Sequence, residues 1–321
     1  MTEKIALDIH CHLVPLTQDD TNGIEGVEWK EGALSIDGYV LATPSVYDVD
    51  ALLRWMDGNG VERAWISVPP PLYRLDLSQT EARVWTSRLN EALAATARRH
   101  ASRFKAMLHL PLQHPALASA VAREWAAKGQ TIFAMPAGSA SHGIFLSDAA
   151  YEPLWTALDD AEAFLFLHPC KGCDPRYDHF YLHNLLGSPV ETALAAAHLA
   201  LSGILDRHTR MKICLAHGGG ATAAVAGRLE RGQLTGRPGA DTGARPPREV
   251  FRNVCVDCIC HDADALRLAA AVHGEGNVFF GSDWPFSMGL PNPHDQLAGV
   301  EPALRRKIIC DNAQVLLERH R

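Results

Sequence analysis

The sequence predicts an α/β protein that folds as a (β/α)8 barrel of the TIM type, because short apolar runs alternate with longer amphipathic stretches along the chain. Near-continuous apolar runs are typical of parallel strands whose two faces are both covered by helices. The eight predicted strands are IALDIH, RAWISV, FKAMLHL, TIFAMPA, AFLFLHP, MKICLAH, VCVDCIC and NVFFGSD. An open doubly wound sheet would instead need a glycine-rich phosphate loop after an early strand, where this chain has HCHLVP.

Helical stretches separate the predicted strands, as strand–helix units require. They are expected at residues 47–58, 79–100, 115–128, 148–161, 190–208, 219–231, 262–273 and 301–319. Barrels of this type commonly exceed the usual size of a domain. The 321 residues therefore fit a single domain that spans residues 1–321.

Two long segments depart from the strand–helix repeat. Residues 13–45 form an insert after the first strand, and VEWKEGALSIDGYV within it predicts a small hairpin over the barrel mouth. Residues 170–188 form a loop after the fifth strand that is rich in aromatic and histidine residues. Both segments belong to the barrel end where the strands terminate, and long loops there are usually functional. We expect them to determine substrate specificity.

Composition excludes several classes of partner. A net charge of -7 and an isoelectric point of about 6.1 disfavour binding to nucleic acid or to an anionic membrane surface. No apolar run approaches the ~18 residues that a membrane-spanning helix needs. We expect a cytoplasmic protein that acts on a small molecule.

The stretch DIHCH places two histidines at the end of the first predicted strand. Side chains two residues apart in a strand share one face, so His10 and His12 would point the same way and could chelate a metal ion. Two capped or surface histidines would give the same short motif. The remaining strand ends must therefore decide between these interpretations.

Three further residues of metal-ligand type also end predicted strands. His168 ends the fifth strand, His217 ends the sixth, and Asp283 follows the eighth in GSDWPF. A single histidine after an apolar strand is more often part of the core than a ligand. Five such residues at one end of a barrel indicate a metal site, since histidines with a carboxylate are a usual set for catalytic Zn²⁺.

The same motifs resemble those of the amidohydrolase superfamily, over nearly the whole chain. More narrowly, KICLAHGGG followed by GRLERG, RPPREV and GSDWPF resembles the 2-amino-3-carboxymuconate 6-semialdehyde decarboxylase-like branch. Members of that branch are mostly metal-dependent decarboxylases without an organic cofactor, and hydratases and hydrolases occur among their relatives. The resemblance implies a barrel enzyme that acts on a small carboxylic acid.

The resemblance also implies a role for each residue at the strand ends. The metal ligands would be His10, His12, His168 and Asp283, with His217 as a neighbouring acid/base and Asp283 as a second proton carrier. Relatives with two metals use a carboxylated lysine at the end of the fourth strand, where this chain reads IFAMPAGS. One divalent ion is therefore expected, with Zn²⁺ favoured over Mn²⁺.

Substrate binding and assembly also follow from the resemblance. Arg228 matches an arginine that, in the branch, reaches into a neighbouring subunit's active site to hold a substrate carboxylate, which implies a homodimer. An exposed helix arginine is the alternative. Phe286 in GSDWPF is a further candidate for substrate contact.

Two departures from the branch leave the substrate open. The name-giving decarboxylase has a substrate-binding lysine and arginine in the insert, whereas residues 31–46 here contain neither. Aryl-acid decarboxylases tend to have a glutamate three residues after the sixth-strand histidine, where this chain has Gly220. Arg74, Lys171 or Arg176 could supply the missing cation, although each could equally be a solvated charge.

Three functions are compatible with these residues. The favoured one is a metal-dependent decarboxylase of a small unsaturated or aromatic acid, in which Asp283 and His217 handle the proton that replaces CO₂. The alternative is a hydrolase of a lactone or amide, or a hydratase, in which Asp283 accepts a proton from water. A non-catalytic metal- or ligand-binding barrel is the third.

Overall fold

The computed structural model describes residues 3–170, 174–240 and 242–320, and its core is a parallel β-barrel. The strands are β1 (Asp8–His12), β2 (Ala64–Ser67), β3 (Phe104–Ala106 with Leu108–His109), β4 (Ile132–Pro136), β5 (Phe164–His168), β6 (Lys212–Leu215), β7 (Cys255–Asp257) and β8 (Val278–Phe279). Each pairs in parallel with its neighbour in sequence. Hydrogen bonds from Ile9 N to Phe280 O (3.0 Å) and from His12 N to Trp284 O (2.8 Å) join the first strand to the last. The predicted barrel is confirmed.

One main helix follows each strand and covers the outside of the barrel. The helices are α1 (Val49–Asn59), α2 (Gln79–Arg99), α3 (Pro115–Ala126), α4 (Glu152–Asp160), α5 (Ser188–Leu201), α6 (Thr222–Leu234), α7 (Ala263–His273) and α8 (Asn312–Arg319). Local sequence sets their ends: Ser78 and Glu81 form a capping box at α2, and Gly60 ends α1 in the left-handed conformation. Within the described ranges, no helix is long and apolar enough to cross a membrane.

The apolar core has two layers that the strands separate. Side chains generally alternate along the strands, so one set packs outward against the helices and the other fills the barrel. A register shift between Asp8 and Cys11 interrupts this alternation in β1. The inner layer includes Ile9, Trp65, Met107, Ala134, Phe164, Phe166, Cys214 and Cys255. Ala313 and Leu316 of α8 belong to this inner layer, and the His320 ring lies 5.7 Å from that of Trp65. The C-terminal helix therefore closes the end of the barrel at which the strands begin.

The insert after β1 contains the predicted hairpin and a third strand, which together form an antiparallel sheet. The three strands are Val27–Lys30, Ala33–Ile36 and Tyr39–Leu41. A second tight turn at Asp37 and Gly38, both with positive φ, reverses the chain and adds the third strand. Arg74 in the loop after β2 binds both carboxylate oxygens of Asp37 at 2.8 Å and the Glu25 carbonyl at 2.7 Å. These contacts fix the sheet beside the barrel mouth.

The loop after β6 depends on glycine. Gly218, Gly219 and Gly220 all have positive φ, and a Cβ atom at Gly220 would lie 2.3 Å from the Pro189 carbonyl oxygen. Because that oxygen belongs to backbone at the start of α5, it cannot move aside as a flexible side chain would. The glycine at position 220 is therefore required by both conformation and space.

We predict that Gly220→Ala destabilises the protein by at least about 2 kcal/mol, the sum of left-handed strain and a backbone clash. Thermal unfolding should show a Tm lower by roughly 3 °C or more. Gly232→Ala in α6 is the matched control, since its Cβ meets nothing within 4 Å and alanine favours a helix by roughly 0.5 to 1 kcal/mol. Equal Tm values for the two variants would contradict the prediction.

Candidate active site

Four ligand-type side chains converge at the barrel end where the strands terminate. His10 and His12 come from β1, His168 ends β5, and Asp283 follows β8. One ligand atom from each lies within 4.8 Å of all the others, and all four residues are buried. Residues from three distant parts of the sequence thus form one compact cluster.

Hydrogen bonds to the outer ring nitrogens orient the three histidines. His10 Nδ1 donates to Asp257 Oδ2 (2.8 Å) and His168 Nδ1 donates to the Pro169 carbonyl (3.0 Å). Their Nε2 atoms therefore present lone pairs to the centre of the cluster. His12 Nδ1 lies 3.2 Å from the Ser67 hydroxyl, which itself donates to a backbone carbonyl, so His12 is oriented in the same way.

This donor set fits a divalent cation. The Nε2 atoms of His10 and His12 face each other at 3.1 Å, and Asp283 Oδ1 lies 3.4 Å and 3.2 Å from them. Buried lone pairs and a carboxylate repel one another at such distances unless a cation lies between them. Three imidazole nitrogens and one carboxylate are an established ligand set for Zn²⁺ and similar ions.

The shifted pKa values of His10 and Asp283 are consistent with the same need for positive charge. Burial would lower the pKa of His10, but Asp283 and Asp257 outweigh it and raise that pKa to about 10. Burial would raise the pKa of Asp283, but charges and hydrogen bonds from His10 and His12 hold it well below its ordinary value. The carboxylate is therefore ionised and available as a ligand.

His217 lies beside the cluster without belonging to it. Its Nε2 is 4.0 Å from Asp283 Oδ2, and its ring centroid is 5.0 Å from that of His168. Burial lowers the pKa of His217, and positive charge at His10 lowers it further, so the ring is neutral. This is the position that an acid/base residue next to a metal site would need.

Asp257 positions both the cluster and His217. Besides orienting His10, its carboxylate accepts hydrogen bonds from the backbone N–H groups of His217 (2.8 Å) and Gly218 (2.7 Å). These bonds hold His217 at a φ of 56°, a conformation that is strained for a residue with a side chain. Asp257 ends β7 just as His168 ends β5, but the sequence alone does not show which groups the carboxylate binds.

The sequence did not predict a role for Asp8, which fixes the backbone beside Asp283 through Ser282. The Asp8 carboxylate accepts from the His10 N–H (3.0 Å), the Ser282 N–H (3.0 Å) and the Ser282 hydroxyl. Asp283 N also donates to the His10 carbonyl (2.7 Å), which helps hold Asp283 at a φ of 55°. Asp8 lies two residues before a ligand on the same strand, and sequence alone gives no partner for it.

A cavity of about 330 Å³ opens from His217 and Asp283. Small or apolar side chains form most of its wall, including Ala223 and Ala224 of α6, Ala265 and Ala269 of α7, Leu185 and Met288. No lysine or arginine in the described part of the chain lines it. The cavity therefore offers an apolar space beside the cluster but no fixed cation of its own.

The predicted substrate-binding residues lie in different surroundings. Phe286 is half-buried, and its ring centroid is 5.5 Å from that of His12, at the edge of the cluster. Arg74 is buried, and its guanidinium group binds Asp37 of the insert. Arg228 is exposed on α6, one helical turn beyond Ala224 in the cavity wall.

The alternative cations do not face the cavity either. Arg176 is exposed and pairs with Asp174 at 2.9 Å, while Lys171 lies outside the described residues. Lys128, which the sequence places before β4, pairs with Glu124 at 2.8 Å on the surface of α3. Of the arginines considered for substrate binding, only Arg228 forms no ion pair with the described residues.

Comparison with known proteins identifies the family of this fold and site. The amidohydrolase family profile matches residues 7–319. The chain belongs to the amidohydrolase family. Its relatives include the 2-amino-3-carboxymuconate-6-semialdehyde decarboxylase of Dictyostelium discoideum, 26% identical with 93% of this chain and 86% of the relative covered. The gamma-resorcylate decarboxylase of Rhizobium radiobacter is 25% identical, with 89% of each chain covered.

Solved structures give the same result for the amidohydrolase fold. A 2,6-dihydroxybenzoate decarboxylase in complex with 2,6-dihydroxybenzoate has a TM-score of 0.78 and 25% identity, and 99% of this chain and 100% of that chain are covered. A dihydroxybenzoic acid decarboxylase from Polaromonas with bound manganese and the inhibitor 2-nitroresorcinol has a TM-score of 0.81 and 24% identity, with 100% and 98% covered.

We predict that Asp257→Asn lowers the metal affinity of this amidohydrolase by about 10- to 100-fold, because the negative charge that orients His10 is lost. Competitive titration with a chromophoric chelator measures the affinity. Asp262→Asn is the matched control: Asp262 caps α7 through the N–H groups of Asp264 and Ala265, and asparagine caps a helix equally well. An unchanged affinity in Asp257→Asn would show that Asp257 does not support the ligands.

Proposed function

We propose that this amidohydrolase is a metal-dependent, non-oxidative decarboxylase of a small unsaturated or aromatic carboxylic acid. One observation carries the proposal: a buried cluster of three histidines and an aspartate adjoins both a neutral histidine and an apolar cavity. The names of its relatives, which are decarboxylases of such acids, support the same activity. The products would be CO₂ and the acid with hydrogen in place of its carboxylate.

One divalent ion per chain would be held by His10, His12, His168 and Asp283. We favour Zn²⁺ because three imidazoles and a carboxylate are a usual set for it, although a Polaromonas relative contains manganese. When bound, the ion stabilises negative charge that develops on substrate oxygens. We propose that no organic cofactor takes part.

Burial favours loss of CO₂ from a substrate in this site. A carboxylate that enters the apolar cavity loses the hydration that stabilises it in water, whereas neutral CO₂ has little hydration to lose. The electron pair of the broken C–C bond remains on the carbon that carried the carboxylate. Because Asp283 is ionised, it would first accept a proton from a substrate hydroxyl or from water and then pass it to this carbon. His217 can donate a hydrogen bond to a substrate oxygen that becomes negative.

A homodimer would supply the cation that the cavity lacks. Arg228 is exposed on α6, whose Ala223 and Ala224 line the cavity, and the small residues around it allow close approach of a second chain. We propose that Arg228 of each chain binds the substrate carboxylate in the other. Neither nucleic acid nor membrane is expected as a partner.

A cytoplasmic location is part of the same proposal. The chain contains eight cysteines, and Cys11, Cys214, Cys255 and Cys258 are buried in its apolar interior. Buried thiols of this kind suit a reducing compartment.

Release of CO₂ tests the function directly. Zn²⁺- or Mn²⁺-loaded enzyme is incubated with 2,6-dihydroxybenzoate, other hydroxybenzoates and unsaturated dicarboxylates, and also with lactones and amides. We expect CO₂ and the decarboxylated product from at least one acid. Hydrolysis of a lactone or amide without CO₂ from any acid would show that the enzyme is a hydrolase.

We predict that His217→Asn keeps its metal and loses turnover by about 10²- to 10⁴-fold, because a proton-handling group outside the ligand set is removed. Elemental analysis and the CO₂ assay measure the two effects. His100→Asn at the end of α2 is the control for replacing a histidine away from the site. Loss of metal from His217→Asn would mean that His217 is a ligand.

We predict that Arg228→Ala raises KM by about 10- to 100-fold without loss of metal, as expected for a charged hydrogen bond worth about 1.5 to 3 kcal/mol. Arg231→Ala on the same helix should behave as wild type. Mixing Arg228→Ala with metal-deficient His10→Ala chains should restore activity, because one site in the mixed dimer has both its metal and a donated arginine. A monomer in sedimentation experiments would exclude this arrangement.

A further inference from the structure

His109 at the end of β3 is a buried histidine that the reaction described above does not use. Met107, two residues earlier on the same strand, belongs to the layer that fills the barrel. Because side chains alternate along a strand, His109 also points into the barrel. It is one residue beyond Leu108, which packs in the outer layer.

The inward direction brings His109 to the barrel end that carries the metal ligands. In barrels of this type, alternate strands contribute the side chains of one interior layer. The odd-numbered strands end in inward side chains, namely His12 of β1, His168 of β5 and Asp257 of β7. His109 is the corresponding side chain of β3. It does not belong to the group of residues whose ligand atoms lie within 4.8 Å of one another. His109 is therefore an inward-facing neighbour of the cluster rather than a fifth ligand.

Neighbouring residues fix the ring but leave its nitrogens unused. Asn90 binds the backbone of His109 through both amide atoms, at 2.9 Å and 2.7 Å, and the Tyr73 ring stacks on the imidazole at 5.3 Å with an angle of 4°. His109 is 1% exposed, and within the described ranges neither Nδ1 nor Nε2 has a hydrogen-bond partner. Two buried polar atoms are thus held in place without a partner from the protein, which is costly unless a ligand binds them.

Tyr73 connects this pair to the active site. It lies in the loop after β2, and Ser67 at the end of β2 contacts the ligand His12. Burial raises the pKa of Tyr73, and the nearby charge of Asp283 contributes to that increase. The stacked rings of Tyr73 and His109 are therefore buried close to the active site, on the β2 and β3 side of the barrel.

We propose that His109 binds a hydroxyl or carbonyl oxygen of the substrate and so selects acids that carry such a group. This proposal rests on the proposed function, since it concerns the substrate of the same site. Burial lowers the pKa of His109 to about 3, so the ring is neutral and offers one donor and one acceptor. That pair matches a neutral oxygen substituent, whereas a second carboxylate would need a cation.

Direct binding tests the proposal independently of turnover. The Kd values of benzoate, of 2-, 3- and 4-hydroxybenzoate and of 2,6-dihydroxybenzoate are measured by calorimetry with Mn²⁺-loaded wild type and His109→Phe. Phenylalanine keeps the stack on Tyr73 and removes both nitrogens. We expect the Kd of at least one hydroxylated acid to rise about tenfold or more, while the Kd of benzoate and the metal content stay unchanged.

His320→Phe is the matched control. His320 is also buried with an unpartnered Nε2, and burial lowers its pKa to about 4, but it lies at the opposite end of the barrel beside Trp65. We expect its Kd values to equal those of wild type. His109→Gln, which replaces an imidazole nitrogen with an amide nitrogen, should recover part of the lost affinity.

Other results would overturn the proposal. Unchanged Kd values for every hydroxylated acid in His109→Phe, or an equal rise for benzoate, would mean that His109 only packs against Tyr73. If His109→Phe does not fold, the imidazole ¹⁵N signals of the wild type decide. A shift of the His109 signals on adding a hydroxylated acid but not benzoate supports the proposal, and no shift contradicts it. Because no CO₂ release is needed, a hydrolase could still pass this test.

Discussion

The hydrogen bonds of Asp257 hold the active site together. One carboxylate orients a metal ligand, His10, and also holds the backbone of the acid/base candidate, His217. The ligand comes from the first strand, the histidine follows the sixth, and Asp257 ends the seventh. A buried ionised carboxylate is costly unless several donors surround it, and here four N–H groups do so. The same groups that keep Asp257 charged therefore set the distance between the metal site and His217.

Strain at two positions is the consequence of that arrangement. His217 and Asp283 both have positive φ, a conformation that costs on the order of 1 to 3 kcal/mol for a residue with a side chain. Each is held by hydrogen bonds to β-strand groups, His217 by Asp257 and Asp283 by the His10 carbonyl. Hydrogen bonds to the rigid barrel thus offset the backbone strain that directs the side chains of His217 and Asp283 toward the cluster. Gly220 completes the sixth-strand loop, and its contact with Pro189 explains why no glutamate side chain could occupy that position.

The lack of positively charged side chains among the described residues of the cavity wall means that substrate recognition depends on the surroundings of the cluster as well as on the cluster itself. The cavity beside Asp283 contains no lysine or arginine from the described chain, and Arg74 is occupied by Asp37. Recognition of an acid would then depend on a metal ion, on polar groups such as His109, and on residues from a second chain. Apolar walls make each of these few polar contacts stronger, because little water competes for them.

The sequence by itself determined the barrel and placed five residues of metal-ligand type at its strand ends, because both depend on local periodicity. Burial on two faces gives apolar strands, and a polar residue is tolerated where such a strand ends, so His168 and Asp283 could be recognised without a structure. Only the tertiary structure decided how far His217 lies from the cluster, that Asp257 supports both, and that His109 faces the same end of the barrel interior. Those facts depend on the stagger between strands and on loop conformation, which bring together residues that are far apart in sequence. The third strand of the insert was missed for a related reason, since its turn depends on backbone conformation at Asp37 and Gly38.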